Sequence, residues 1–164
     1  MSEWRELVFF SDRDLGRVFP ALLADAGVRI ERHDDHFEPE TADEEWIGEI
    51  GRRGWVAVTR DARIRYSPLA VSVLMSSRAR LFVLVGKLTT AQAAETFLKW
   101  RQKVISTSLD ENGAFIAKIT GATEFSCGFV RRTGVEVDAD AAVSHDPRHG
   151  RQISYEALQG ADSH

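Results

Sequence analysis

The chain has 164 residues, 43% of them apolar, a net charge of −4 and a single cysteine, Cys127. That length suits one domain with a sizeable core, and a lone cysteine excludes an intrachain disulfide framework and a cysteine-rich zinc site. No apolar run is long enough to span a bilayer, and the early charges Glu3, Arg5, Glu6 and Asp12 break up any secretory leader, so a cytoplasmic protein with no membrane partner is expected.

Residues 6–11 read as a buried first strand, short and apolar, ended by the polar turn Ser11-Asp12-Arg13-Asp14. A helix is predicted over 15–26 from Leu15, Val18, Phe19, Leu22, Leu23 and Ala26, with Asp14 as N-cap and Gly27 as its stop. Val28 to Glu31 alternates as a second strand, and 33–42 is an aperiodic loop. Asp43 to Arg53 is a short helix with Trp46, Ile47 and Ile50 inward and Gly54 after it. Residues 55–59 form the third strand, followed by Arg60-Asp61. Ser67 caps the next helix, with Pro68 at its first position. Residues 80–85 are a fourth strand, and Thr90 caps a long helix over about 91–107. Residues 114–119 and about 124–137 read as two more strands around Gly121, and 138–164 as a polar, weakly ordered tail.

This alternation predicts an α/β fold of three layers, α/β/α, with a mainly parallel sheet of four or more strands. Right-handed crossovers put the C-terminal strand ends on one edge. Asp12, Asp61 and the helix-opening Asp43 then share one crevice, where open sheets of this class hold ligands. Clustered carboxylates repel and are costly to desolvate, so they suit a hard cation such as Mg²⁺ or Mn²⁺. Such an ion can polarise a phosphoryl group and activate water. The net negative charge weakly opposes general nucleic-acid binding. Locally, however, Arg52, Arg53, Arg60, Arg63 and Arg65 surround the third acidic signal and suit a phosphodiester.

The segments Phe10-Ser11-Asp12-Arg13-Asp14-Leu15-Gly16, Asp43-Glu44-Glu45-Trp46-Ile47, Gly54 through Asp61, and Leu81-Phe82-Val83-Leu84 together resemble the PIN-like domains related to VapC-type toxins of toxin–antitoxin systems. The resemblance runs from about Val8 to about Ile105 and implies a metal-dependent endoribonuclease; the PIN-like domain is expected over 1–120, and the pattern of 121–137 is read as possible extra strands. It implies Asp12, Asp43 and Asp61 as catalytic residues and Asp12, Asp43, Glu44 and Asp61 as the candidate metal ligands, the middle-helix ligand being Asp43 or its neighbour Glu44. Arg60 and Arg63 are the candidate substrate contacts. RNA is the implied substrate, an antitoxin protein and a second copy of the chain are the implied partners, and Mg²⁺ or Mn²⁺ is the cofactor. One departure is that Ala62-Arg63-Ile64-Arg65 offers no fourth acidic residue after Asp61. A non-catalytic binding module of the same fold is the alternative. His33-Asp34-Asp35-His36 invites a zinc reading, although such a loop is more often solvated or hydrogen-bonded. Thr59 could orient a carboxylate or serve only as a strand residue.

Overall fold

A computed structural model of the protein describes residues 6–109, 113–121 and 124–129, the last six as backbone only. Six strands form one sheet in the order β2-β1-β3-β4-β5-β6: β1 is Val8–Ser11, β2 Arg29–Arg32, β3 Val56–Thr59, β4 Arg80–Val85, β5 Phe115–Thr120 and β6 Glu124–Phe129. The first five are parallel, and β6 closes the edge as an antiparallel hairpin with β5.

The period-2 alternation of strand side chains divides the apolar residues between two faces. Phe9, Val56, Val58, Phe82, Leu84, Phe115 and Ala117 point to one side. Phe10, Ala57, Leu81, Val83 and Ile116 point to the other. The first face is covered by α1 (Val18–Asp25), α4 (Thr90–Lys99) and α5 (Arg101–Ser108), through Phe19, Leu23, Phe97 and Val104. The second is covered by α2 (Asp43–Arg53) and α3 (Pro68–Ser76), through Trp46, Ile47, Ile50, Val71 and Leu74. The three-layer α/β arrangement with a mainly parallel sheet is therefore present as expected.

Two helices depart from the sequence reading. The first starts later: Asp12 caps a 3-10 turn at Arg13–Leu15, Gly16 at φ +63° ends it, and the α-helix begins only at Val18. Asp14 therefore is not the helix cap. The predicted long helix over 91–107 is two helices that break at Trp100, whose backbone leaves the helical region and whose indole Nε1 donates to the Gly121 carbonyl at 3.0 Å. Its cap is Thr89, not Thr90. The Thr89 hydroxyl accepts from the Gln92 amide, and the Gln92 side chain accepts from the Thr89 amide, a reciprocal box that Thr90 could not make. Of the strand predicted over 124–137, the portion after Phe129 lies outside the described residues, as does the tail over 138–164.

The chain crosses from β1 outward to β2, then returns past β1 to β3. The crossover direction therefore reverses between β1 and β3. A crevice opens at the C-terminal end of such a pair, because the connecting loops diverge to opposite faces.

Candidate metal and phosphodiester site

The β1/β3 crevice is where the acidic residues meet. In the parallel register Ser11 lies beside Val58, and the Asp12 amide donates to the Val58 carbonyl at 2.9 Å, which extends the pairing into the loop. Thr59, fully buried at the end of β3, joins the two loops. Its hydroxyl donates to Asp12 Oδ2 at 2.8 Å, lies 3.3 Å from Asp14 Oδ2, and accepts from the Asp61 amide at 3.0 Å. The Arg60 amide donates to both Asp14 carboxylate oxygens, at 3.2 and 3.1 Å. One threonine at the end of β3 thus fixes two carboxylates from the loop after β1 and the backbone of the loop that carries Asp61. Asp43 enters from the first turn of α2, where the Trp46 indole donates to its Oδ1 at 3.0 Å.

The resulting cleft of about 610 Å³ is lined by Asp12, Asp14, Asp43 and Asp61 together with Arg13, Arg60, Arg63, His33, Trp46, Pro39 and Thr41. That space admits a hydrated divalent ion beside a phosphodiester. Burial raises the Asp12 carboxyl above its ordinary value; the Thr59 hydroxyl pulls it down, and the Asp43 charge pushes it up again. Asp14 is pushed up to about 6, first by burial and then by the charge on Asp12. Asp61 moves the opposite way, held below the usual carboxylate range by its hydrogen bonds from Arg63. The Arg63 guanidinium meets it at 3.0 and 3.3 Å while remaining 90% exposed.

Of the residues singled out from the sequence, Asp12, Asp43, Asp61, Arg60 and Arg63 all line this cleft, and Glu44 does not. The Arg60 guanidinium donates to the Leu88 carbonyl at 2.6 Å, which anchors its head group. Asp14 is the residue that sequence reasoning assigned elsewhere. The fourth carboxylate sought after Asp61 comes instead from two positions beyond Asp12, and the Asp-x-Asp spacing at the end of β1 was its signal. His33 sits inside the fold with its ring against Phe10, Phe37 and Trp46, and its imidazole is held below its usual range by burial. His36 packs on Trp55.

The donor set is hard oxygen, and two of its carboxyls carry raised proton affinities that a cation would relieve, so its chemistry fits Mg²⁺ or Mn²⁺. Among the described residues, no three acidic or histidine groups already converge on one point at metal-holding distance. Asp61 is engaged by Arg63 and Asp43 by Trp46.

Residues 7–86 match a family described as a PIN-like domain. A curated relative from Mycobacterium tuberculosis (strain ATCC 25618 / H37Rv), named "Putative ribonuclease VapC45", is 36% identical over 78 residues, which cover 44% of this chain and 56% of the relative. The chain thus spans just over half the length of that relative. No solved structure matches the chain.

Proposed function

We propose, from the match of residues 7–86 to a family described as a PIN-like domain, that the chain is a metal-dependent endoribonuclease, the toxin of a toxin–antitoxin pair. The observation that carries this reading is the Thr59 hydroxyl, which joins Asp12 and Asp14 at the sheet's switch point, beside Asp43 and Asp61. The name of the curated relative, a ribonuclease, supports RNA as the substrate, and the resemblance to VapC-type toxins suggests an antitoxin protein as the partner. No helix among the described residues is long and apolar enough to cross a membrane.

In this proposal Asp12, Asp14, Asp43 and Asp61 hold Mg²⁺ or Mn²⁺, which when bound supplies an activated water and offsets phosphate charge. Thr59 keeps the Asp12 and Asp14 carboxylates in one orientation, so little reorganisation is needed as charge develops. Asp14, with its proton affinity raised to about 6, holds a proton on its carboxyl until a cation or rising pH removes it. Arg63, planar and exposed, turns from Asp61 to a phosphate oxygen when RNA enters. The Arg60 amide and its anchored guanidinium hold the loop that carries Asp61.

The test is cleavage of a mixed RNA pool by purified protein with Mg²⁺ or Mn²⁺ and with EDTA, beside Asp12→Asn and Asp61→Asn. Metal-dependent cutting lost in both variants supports the enzyme. Because no three of the acidic groups already converge, the competing reading is a non-catalytic RNA- or protein-binding module. Folded wild type that neither cuts RNA nor takes up metal would move the assignment there. A small DNA-binding antitoxin gene beside this one, and growth arrest relieved by Asp12→Asn, would support the toxin.

A further inference from the structure

An aromatic ring stands exposed one short turn from the cleft. Tyr66 ends the 3-10 helix Ala62–Tyr66, is 66% exposed, and belongs to neither apolar cluster of the core. Side chains three apart on a 3-10 helix eclipse one another. Tyr66 therefore projects on the same side as Arg63, which lines the cleft and meets Asp61. Ile64, on the opposite side of the same turn, is buried at 2% and pins the turn to the sheet. The backbone that carries the ring is fixed. The Ser67 amide donates to the Ile64 carbonyl at 3.1 Å, and the Ser67 hydroxyl accepts from the Ala70 amide at 3.3 Å to start α3. The Arg65 guanidinium lies 4.7 Å from the Tyr66 ring centroid and covers one ring face. A tyrosine this exposed, with a guanidinium over one face, contributes little to folding and leaves ring surface open to solvent.

We propose that Tyr66 is a stacking platform for an unpaired base of single-stranded RNA, seated on the ring face opposite Arg65, with Arg63 meeting an adjacent phosphate. Charge favours a nucleic acid over an apolar peptide here, because Arg63 and Arg65 flank the ring and the carboxylates lie beyond them. Stacking needs an unpaired base, so the platform selects single strands over duplex and tolerates any base identity. The inference rests on the reading that RNA is the ligand of the cleft.

The experiment has two arms. Fluorescence anisotropy follows a labelled single-stranded RNA of mixed sequence binding to the full chain with Mn²⁺, in the Asp12→Asn background. Cleavage kinetics follow the same RNA with Mn²⁺ and the wild-type acidic set. Tyr66→Ala is expected to weaken binding about tenfold and Tyr66→Phe by less than about twofold, since the π-face is what binds. In the cleavage arm Tyr66→Ala raises KM and leaves kcat nearly unchanged. Cleavage by wild type with RNA affinity untouched by Tyr66→Ala overturns the platform and spares the nuclease. Absence of cleavage, with affinity still lost in Tyr66→Ala, overturns the nuclease and supports the platform on a binding module. RNA binding in neither arm overturns both. Unchanged RNA affinity with a smaller particle by light scattering would assign Tyr66 to an interface between copies and overturn the proposal.

Discussion

Asp14→Asn tests the electrostatics of the cleft directly. In the folded chain burial, and after it the charges on Asp12 and Asp61, raise the proton affinity of Asp14, while the Arg60 amide and the Thr59 hydroxyl lower it. A rise from 3.8 to about 6, at about 1.4 kcal/mol per pH unit, is a penalty of about 3 kcal/mol on the ionised form. Asp14 has substantial solvent contact, and screening cuts this to about 1.5 kcal/mol. Between pH 3.8 and about 6 the folded chain binds more protons than the unfolded one, so wild-type stability falls as pH rises through that window and stays low above it. Asparagine keeps the shape, still accepts from the Arg60 amide, and does not titrate. The variant should therefore be more stable than wild type by about 1.5 kcal/mol near pH 7.5, with the gain shrinking to a small fraction near pH 4. In a chain of this size that is a rise of about 3–6 °C in Tm. The assay is urea and thermal unfolding in EDTA at both pH values. Equal gains at the two pH values, or a loss near neutrality, would refute the account of Asp14 as a carboxylate strained by burial and by Asp12. The same measurement with Mn²⁺ present should reverse the order, because the cation then stabilises wild type more than the variant.

Three further outcomes are expected. Thr59→Val keeps the buried shape but leaves the Asp61 amide and Asp12 Oδ2 without their shared partner, so it should cost about 1–3 kcal/mol by urea unfolding and cut RNA cleavage about 100-fold by misplacing the carboxylates. Gly51→Ala should destabilise despite its better helix propensity: an added Cβ would collide with Ser77 Oγ and sit 2.7 Å from Ser77 Cβ and its carbonyl oxygen. Overpacking of about 1–3 kcal/mol then outweighs the propensity gain of about 0.5–1 kcal/mol, and Mn²⁺ affinity by calorimetry should not move. Arg63→Ala releases Asp61, so its carboxyl should rise toward the ordinary range, Mn²⁺ should bind more tightly, RNA should bind more weakly, and thermal stability should change little.

Helix α2 over Asp43–Arg53, the Ser67-Pro68 start of α3 and the strand Arg80–Val85 match their expected places because each carries its own boundary signals: a left-handed Gly54, a hydroxyl cap, an apolar run. The break at Trp100 did not announce itself. The residues around it are good helix formers, and the partner of the indole, Gly121, lies on a hairpin far along the chain. Asp14 was misassigned for a related reason. An aspartate before an apolar periodic segment reads locally as a cap, and nothing nearby shows that Thr59 and the Arg60 amide will claim its carboxylate. Local patterning thus fixed the fold class, most elements and the presence of Asp12, Asp43 and Asp61 at their ends, since hydrophobic period and capping act over a few residues. The order of the strands, the pairing of Asp12 and Asp14 through Thr59, the closing of Arg63 on Asp61 and the opposed shifts of the carboxyls came from the folded state alone. Proton affinities and hydrogen bonds depend on distance and burial in space, and those exist only once β1 and β3 lie side by side.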